Sequence, residues 1–212
     1  MKTASEEVTD MIFLSKWSSQ TLCAGAELGV FDCLSRDATR NASDVAAETG
    51  LDPTLLYRLL RALASLGLLN ETSGRHFNLT ERGAVLRTDA PESLRYMAML
   101  EGGPEHWAIW KHVPAMVRDG RQNAFMREFG KMAFDHARAN PDGYGAVFGR
   151  AMSGFSATCN SGTVNDSHRE FIHRVVWPTL LGNMSVIPSQ KSCVASDVQM
   201  VAVNQDAGIY AK

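Results

Sequence analysis

One stretch constrains the fold more than any other: NASDVAAETGLDPTLLYRLLRALASLGLLNETSGRHFNLTERGAVL, residues 41–86. Asn41 is placed to N-cap a short helix, with Asp44 at N3 as a shortened capping box and Gly50 to end it. Asp52-Pro53 repeats the start signal, a capping side chain followed by proline at the first helical position. Over Thr54–Leu66 the leucines Leu55, Leu56, Leu59, Leu60, Leu63 and Leu66 form an apolar stripe, and Gly67 closes the helix. Two β-like runs follow, Leu68–Glu71 and Arg75–Leu79, with Thr72-Ser73-Gly74 as a hairpin loop. Thr80 then caps another short helix. Helix, turn, helix and hairpin in this order predict a winged helix-turn-helix.

Upstream, Ser5–Leu34 reads as two helices or one bent helix. Val8, Met11, Ile12, Ser15, Ser19 and Leu22 share one face, while Phe13 and Trp17 lie on another. A helix apolar on more than one side is buried all round or covered by a partner chain, and its N-terminal position favours the partner. Gly25 and Gly29 loosen the pattern before Val30, Phe31 and Leu34. Downstream, Pro91–Ala157 stays helical: one segment around Leu94, Met97, Ala98 and Glu101; a second from His106 to Val117, ended near Gly120; then Phe125–Ala139 and Tyr144–Phe155. This part is dense in Met and aromatic side chains. They read either as ordinary helical core or, in part, as walls of an apolar small-molecule pocket.

A seam follows Ala157. Before it the chain has 17 Leu against 9 Val and Ile; after it, 2 against 11. Leucine favours helices and β-branched residues favour strands, so two kinds of sequence are joined here. Periodicity fails beyond the seam, and the reading expects a poorly ordered tail over 158–212, after a winged-helix part over 1–90 and connecting helices over 91–157. The expected fold class is therefore mainly α with one small β-hairpin.

Charge narrows the function classes. The whole chain carries a net charge of −2, which gives no general attraction to nucleic acid or anionic membrane. Across residues 41–90 there are 5 Arg against 6 acids, and the second helix of the motif offers only Arg58 and Arg61. That argues against a phosphate footprint, although a DNA-binding or partner-binding module stays open as the alternative. No apolar run reaches membrane-spanning length, and Glu6, Glu7 and Asp10 stand where a signal peptide would be basic and apolar. The expected location is the cytoplasm, with Cys23, Cys33, Cys159 and Cys193 as free thiols.

Chemical constellations are few. His168 and His173 are five apart, about 140° around a helix, and make poor joint metal ligands. Ser153 lacks the G-x-S-x-G frame of a nucleophile, because Ala151 and Phe155 occupy the glycine positions. Gly102-Gly103-Pro104 reads as a helix break.

Taken together, the run from AAELGVFD through SDVAAETGLDPTLLYRLLRALASLGLL, the hairpin, LTERGAVLRTDAPESLR, the Trp107–Pro114 segment and NPDGYGAVFGRAMSGFSA resembles the N-terminal half of S-adenosylmethionine-dependent O-methyltransferases of bacterial and plant type. The resemblance implies a homodimer through the N-terminal helices and a small-molecule acceptor pocket partly walled by this half. It also implies a C-terminal Rossmann-like domain that holds S-adenosylmethionine on a glycine-rich turn and supplies a histidine general base. The chain departs from that pattern after Ala157. TCNSGTVNDSHREF follows, Gly162, Gly182 and Gly208 stand alone, and 55 residues are too few for several βαβ units of roughly 30 residues each. No cofactor-binding or catalytic residue is carried over, and S-adenosylmethionine is not expected to bind this chain alone. The expectation is a methyltransferase-like chain truncated to its dimerisation and pocket half, inactive by itself. The acceptor-lining candidates are Trp107, Phe148, Met152 and Phe155.

Overall fold

The computed structural model describes residues 2–122 and 124–160. The tail beyond, with His168, His173 and Cys193, lies outside the described residues. Contacts divide the chain into two compact units; the first takes the residues up to Ala108 with His136–Ala157, and the second is built from Ile109–Asp135.

In the first unit, α1 (Ala4–Glu27) is a single helix, where the sequence suggested two or a bend. It starts with a full capping box: the Thr3 hydroxyl accepts from the Glu6 amide at 3.3 Å, and the Glu6 carboxylate accepts from the Thr3 amide at 2.7 Å. Gly25 does not loosen the helix. It brings α1 close to its neighbours, since a Cβ there would lie 3.0 Å from both Leu63 Cδ1 and Phe31 Cε2. The chain then turns through Gly29, at φ +70, and buries Val30, Phe31 and Leu34.

The motif core follows the sequence closely. β1 (Arg40–Asn41) leads into α2 (Ala42–Thr49), α3 (Pro53–Ser65), β2 (Leu69–Thr72), β3 (His76–Leu79) and α4 (Glu81–Ala84). Asp52 accepts from the amides of Thr54 and Leu55 at 3.0 and 2.8 Å, so both signals of that start are used. Asn41 caps α2 through the Ser43 amide at 2.9 Å, a bond two residues on rather than to N3 Asp44. On α3, Leu56, Leu60 and Leu63 are buried, but Leu55 turns outward at 62 % exposure and leaves the stripe. The hairpin gains a third strand: the sheet is antiparallel in the order β1-β3-β2, with Arg40 opposite Phe77 and Leu69 opposite Leu79. Phe77 and Leu79 join the helical core from the sheet.

After α4 come α5 (Arg95–Gly102), α6 (Pro104–Ile109), a 3₁₀ turn at Trp110–His112, α7 (Val113–Asp119), α8 (Ala124–Phe129), α9 (Ala133–Ala139) and α10 (Tyr144–Asn160). The segment expected from His106 to Val117 is interrupted because Pro114 has no amide proton to give the Trp110 carbonyl. The expected single helix over Phe125–Ala139 divides at Gly130, which sits at φ +67. In the second unit, Glu128 accepts from Lys111 Nζ and His112 Nε2, both at 2.7 Å. Hydrogen bonding from these two holds its carboxyl below the ordinary carboxylate range.

Candidate functional site

The polar chemistry of the first unit collects where α5, α6 and α10 meet. α1 packs on α5 so tightly that a Cβ on Gly102 would lie 2.4 Å from Cys23 Cβ, and Gln20 Nε2 donates to the Gly102 carbonyl at 2.9 Å. The Gly102-Gly103-Pro104 break then redirects the chain, as its sequence suggested, and points His106 inward. α10 crosses close to the start of α5: a Cβ on Gly154 would fall 2.4 Å from the Ser93 carbonyl oxygen, and Arg150 Nη1 donates to the Tyr96 hydroxyl at 2.6 Å.

His106, 4 % exposed, is the buried polar residue of the described core. Its Nδ1 lies 3.3 Å from Glu101 Oε1, and its Nε2 lies 3.1 Å from the Tyr144 hydroxyl. Glu101 is partly solvated and as a carboxylate can only accept, so in the neutral imidazole Nδ1 carries the proton. Nε2 is then an acceptor, and the Tyr144 hydroxyl donates to it. Burial, with Glu105 and Glu101 adding negative potential, pushes that hydroxyl well above the ordinary tyrosine value, so it keeps its proton. The ring of Tyr144 also meets His136 edge-on, with centroids 5.2 Å apart, and Phe148 at 5.8 Å.

Two concave features flank this network. A cavity of about 160 Å³ is lined by Cys23, Glu27, Met99, Leu100, Gly103, Pro104, Glu105, Tyr144 and Val147. An apolar groove of about 650 Å³ runs between α1, α4 and α5, lined mainly by Leu22, Leu68, Val85, Leu86, Leu94 and Met97, with Glu101 at its edge. Glu101 therefore stands in the groove wall and in the histidine network at once.

The four residues singled out from the sequence are not brought to one cavity. Phe148, Met152 and Phe155 share a face of α10, one and more turns along from Tyr144; Phe148 is buried, and the other two are half-buried. Trp107 stands apart on α6, 40 % exposed, with Lys16 Nζ 5.7 Å from its ring centroid. None of the four lines the groove or the cavity. Sequence reasoning passed over Glu101, His106 and Tyr144. The available signal was a histidine at a core-facing helical position, which demands a buried partner.

Comparison with known proteins gives this geometry a context. Residues 11–89 match the O-methyltransferase dimerisation domain. They belong to that dimerisation-domain family. Phenazine O-methyltransferase PhzM of Lysobacter antibioticus is 35% identical over 140 residues, covering 66% of this chain and 40% of that protein. The crystal structure of LaPhzM superposes with a TM-score of 0.67 at 31% identity, over 82% of this chain and 48% of that one. Human N-acetylserotonin methyltransferase, solved in complex with SAM, gives a TM-score of 0.63 at 27% identity, over 74% of this chain and 47% of that one. The chain thus spans less than half the length of these relatives.

A nucleotide-type cofactor rests on a glycine-rich turn between a parallel strand and a helix. Here the described sheet is wholly antiparallel. The positive-φ glycines serve other ends: Gly29, Gly50, Gly67, Gly120 and Gly130 follow helices, and Gly74 lies in the β2–β3 turn. No helix among the described residues is long and apolar enough to cross a membrane.

Proposed function

We propose that this chain is the dimerisation and acceptor-side portion of a methyltransferase that moves a methyl group from S-adenosylmethionine to a hydroxyl of a small molecule. It works as a homodimer and does not carry out the transfer alone. The observation that carries the reading is the N-terminal half of α1. Val8, Met11, Ile12, Phe13, Leu14 and Trp17 are all exposed, Met11 at 71 % and Trp17 at 58 %. A monomeric protein rarely leaves so many large apolar side chains bare on one element. Covering them yields roughly 1.5–3 kcal/mol per side chain in gross terms. Six such side chains, already partly covered, give at most about 9–18 kcal/mol in gross terms, the same order as the cost of association, about 4–15 kcal/mol. The dimerisation-domain match covers this half of α1 from Met11 onward.

On this reading the α10 face with Phe148, Met152 and Phe155 belongs to the acceptor wall, and Trp107 stands apart from it. α3 is a packing element rather than a DNA reader. Arg61 is paired with Glu71 at 3.3 Å, and the Arg75 guanidinium sits 4.8 Å from the Tyr57 ring centroid, so two of the basic groups near the hairpin are already engaged.

Size-exclusion chromatography with light scattering at micromolar concentration tests the assembly. The expected mass is twice 23.2 kDa, and M11E combined with W17E shifts the chain to a single copy with its helical circular dichroism intact. A wild-type chain that runs as one copy overturns the proposal, as does a salt-sensitive shift of duplex DNA.

A further inference from the structure

We propose that Asp32 is the latch of a conformational device in the first unit. It holds the start of α5 against the dimerisation domain of residues 11–89, and its release lets residues 87–99 open together while α2, α3 and the sheet stay folded. The device goes beyond the methyltransferase reading above and does not depend on it.

The bonds converge on one carboxylate. Asp32 stands in the turn that leaves α1, and its Oδ1 accepts from the Thr88 amide at 2.7 Å. Its Oδ2 accepts from the Thr88 hydroxyl at 2.8 Å and from Arg95 Nη1 in the first turn of α5. Arg95 Nη1 also donates to the Thr88 hydroxyl oxygen. Two further bonds secure the link: Arg87 Nη1 donates to the Leu34 carbonyl at 2.7 Å, and Ser93 Oγ donates to the Arg87 carbonyl at 2.6 Å. Hydrogen bonds to a charged group are roughly twice as strong as neutral ones, so Asp32 contributes most of the hold.

Apolar packing contributes little at this end of α5. Arg95 through Met99 are all half-buried, and the buried residues of the helix, Leu100 and Gly102, lie at its far end. Leu94, at the N-cap position, supplies no side-chain cap. Leu94, Met97 and Ala98 border the groove of about 650 Å³, so one side of the helix start faces open space. A segment with few buried apolar contacts opens locally at less cost than the whole fold. The closed state also carries a penalty of its own. Arg95 Nε is buried with no hydrogen-bond partner among the described residues, and an open Arg95 recovers that bond from water. The far end is held separately, by Gln20 on the Gly102 carbonyl and by the close approach of Cys23. Opening moves the α5 wall of the groove and the Ser93 carbonyl against which Gly154 of α10 packs, so one carboxylate sets both.

Amide hydrogen exchange on the whole 212-residue chain tests the latch, with the wild type beside D32N. Asparagine keeps the size of the side chain but turns one of its two acceptors into a donor. Losing a hydrogen bond to a charged group corresponds to about 10–100-fold faster exchange over residues 94–101, with the α3 amides unchanged. T88V removes the hydroxyl, leaves the amide bond and gives a smaller rise over the same residues. Equal rates in the wild type and D32N, or the same acceleration in α3, would each overturn the latch. If D32N does not fold, the wild type in sub-denaturing urea decides. Residues 94–101 then exchange through an opening with a weaker urea dependence than α3, and a shared dependence overturns the proposal. Light scattering on the same samples keeps the assembly apart: D32N retains the mass of the wild type, and a changed mass assigns the opening to the contact between copies and sinks the latch.

Discussion

Gly83 has no room for a methyl group. A Cβ there would fall 2.0 Å from the Leu68 carbonyl oxygen and 3.0 Å from its carbon, both rigid backbone atoms. Gly83→Ala is therefore expected to cost about 1–3 kcal/mol, read as a lower urea midpoint, and an unchanged midpoint would contradict the close approach. Asp52 acts by a different principle. It caps α3 through two amides, and Asp52→Ala is expected to lower stability by about 1 kcal/mol while Asp52→Asn retains most of it. The two residues also differ in how legible they were. Asp52-Pro53 announces its role within four residues, because a cap bonds only to its own first turn. Nothing beside Gly83 in the sequence announces the Leu68 carbonyl, which arrives from fifteen positions earlier once α4 folds against the start of β2.

Among the elements, α1 shows the limit of periodicity. Its apolar residues on several faces were visible in the sequence, but a pattern cannot distinguish a helix buried all round from one waiting for a partner. The structure divides it: Cys23, Gly25 and Ala26 are buried at one end, while the other end is bare from Val8 to Trp17. If the bare half is a dimer surface, amide exchange over residues 8–17 is slow in the wild type and fast in the M11E and W17E double variant, with α3 protected in both. Equal exchange in the two proteins would count against the interface. In the second unit the 3₁₀ turn at Trp110–His112 is tied to α8 through Glu128, whose carboxyl lies below its ordinary value because Lys111 and His112 donate to it. A depressed carboxyl pKa gives stability that is present above the ordinary carboxylate range and is lost as pH falls through the lowered value. Amides over residues 109–129 should accordingly lose protection in acid, and E128Q should remove that pH dependence. A wild-type acid response identical to that of E128Q would exclude Glu128 as its source.

For the whole molecule the relevant fact is proportion. The chain spans 40% of its phenazine O-methyltransferase relative and 48% of a superposed methyltransferase structure, and its described residues contain no parallel strand feeding a glycine-rich turn. Calorimetric titration of this chain with S-adenosylmethionine is expected to give no saturable heat, and measurable binding would overturn the proposal that it does not carry the transfer alone. The aromatic and Met density downstream of Pro91 reads from the sequence as helical core or, in part, as a pocket wall, and Trp107 and Phe148 stand in different settings, one exposed beneath Lys16 and one buried against Tyr144. Sequence by itself determined the helix, turn, helix and hairpin order and most of its stops, because caps, proline and positive-φ glycines act on the neighbouring turn alone. Tertiary structure alone decided the third strand, the bare half of α1 and the meeting of Glu101, His106 and Tyr144. A two-residue strand has no period to detect, and a hydrogen bond between positions 38 apart exists only once α10 has crossed α5 and α6. Local chemistry states which way a side chain faces; only packing supplies what stands opposite it.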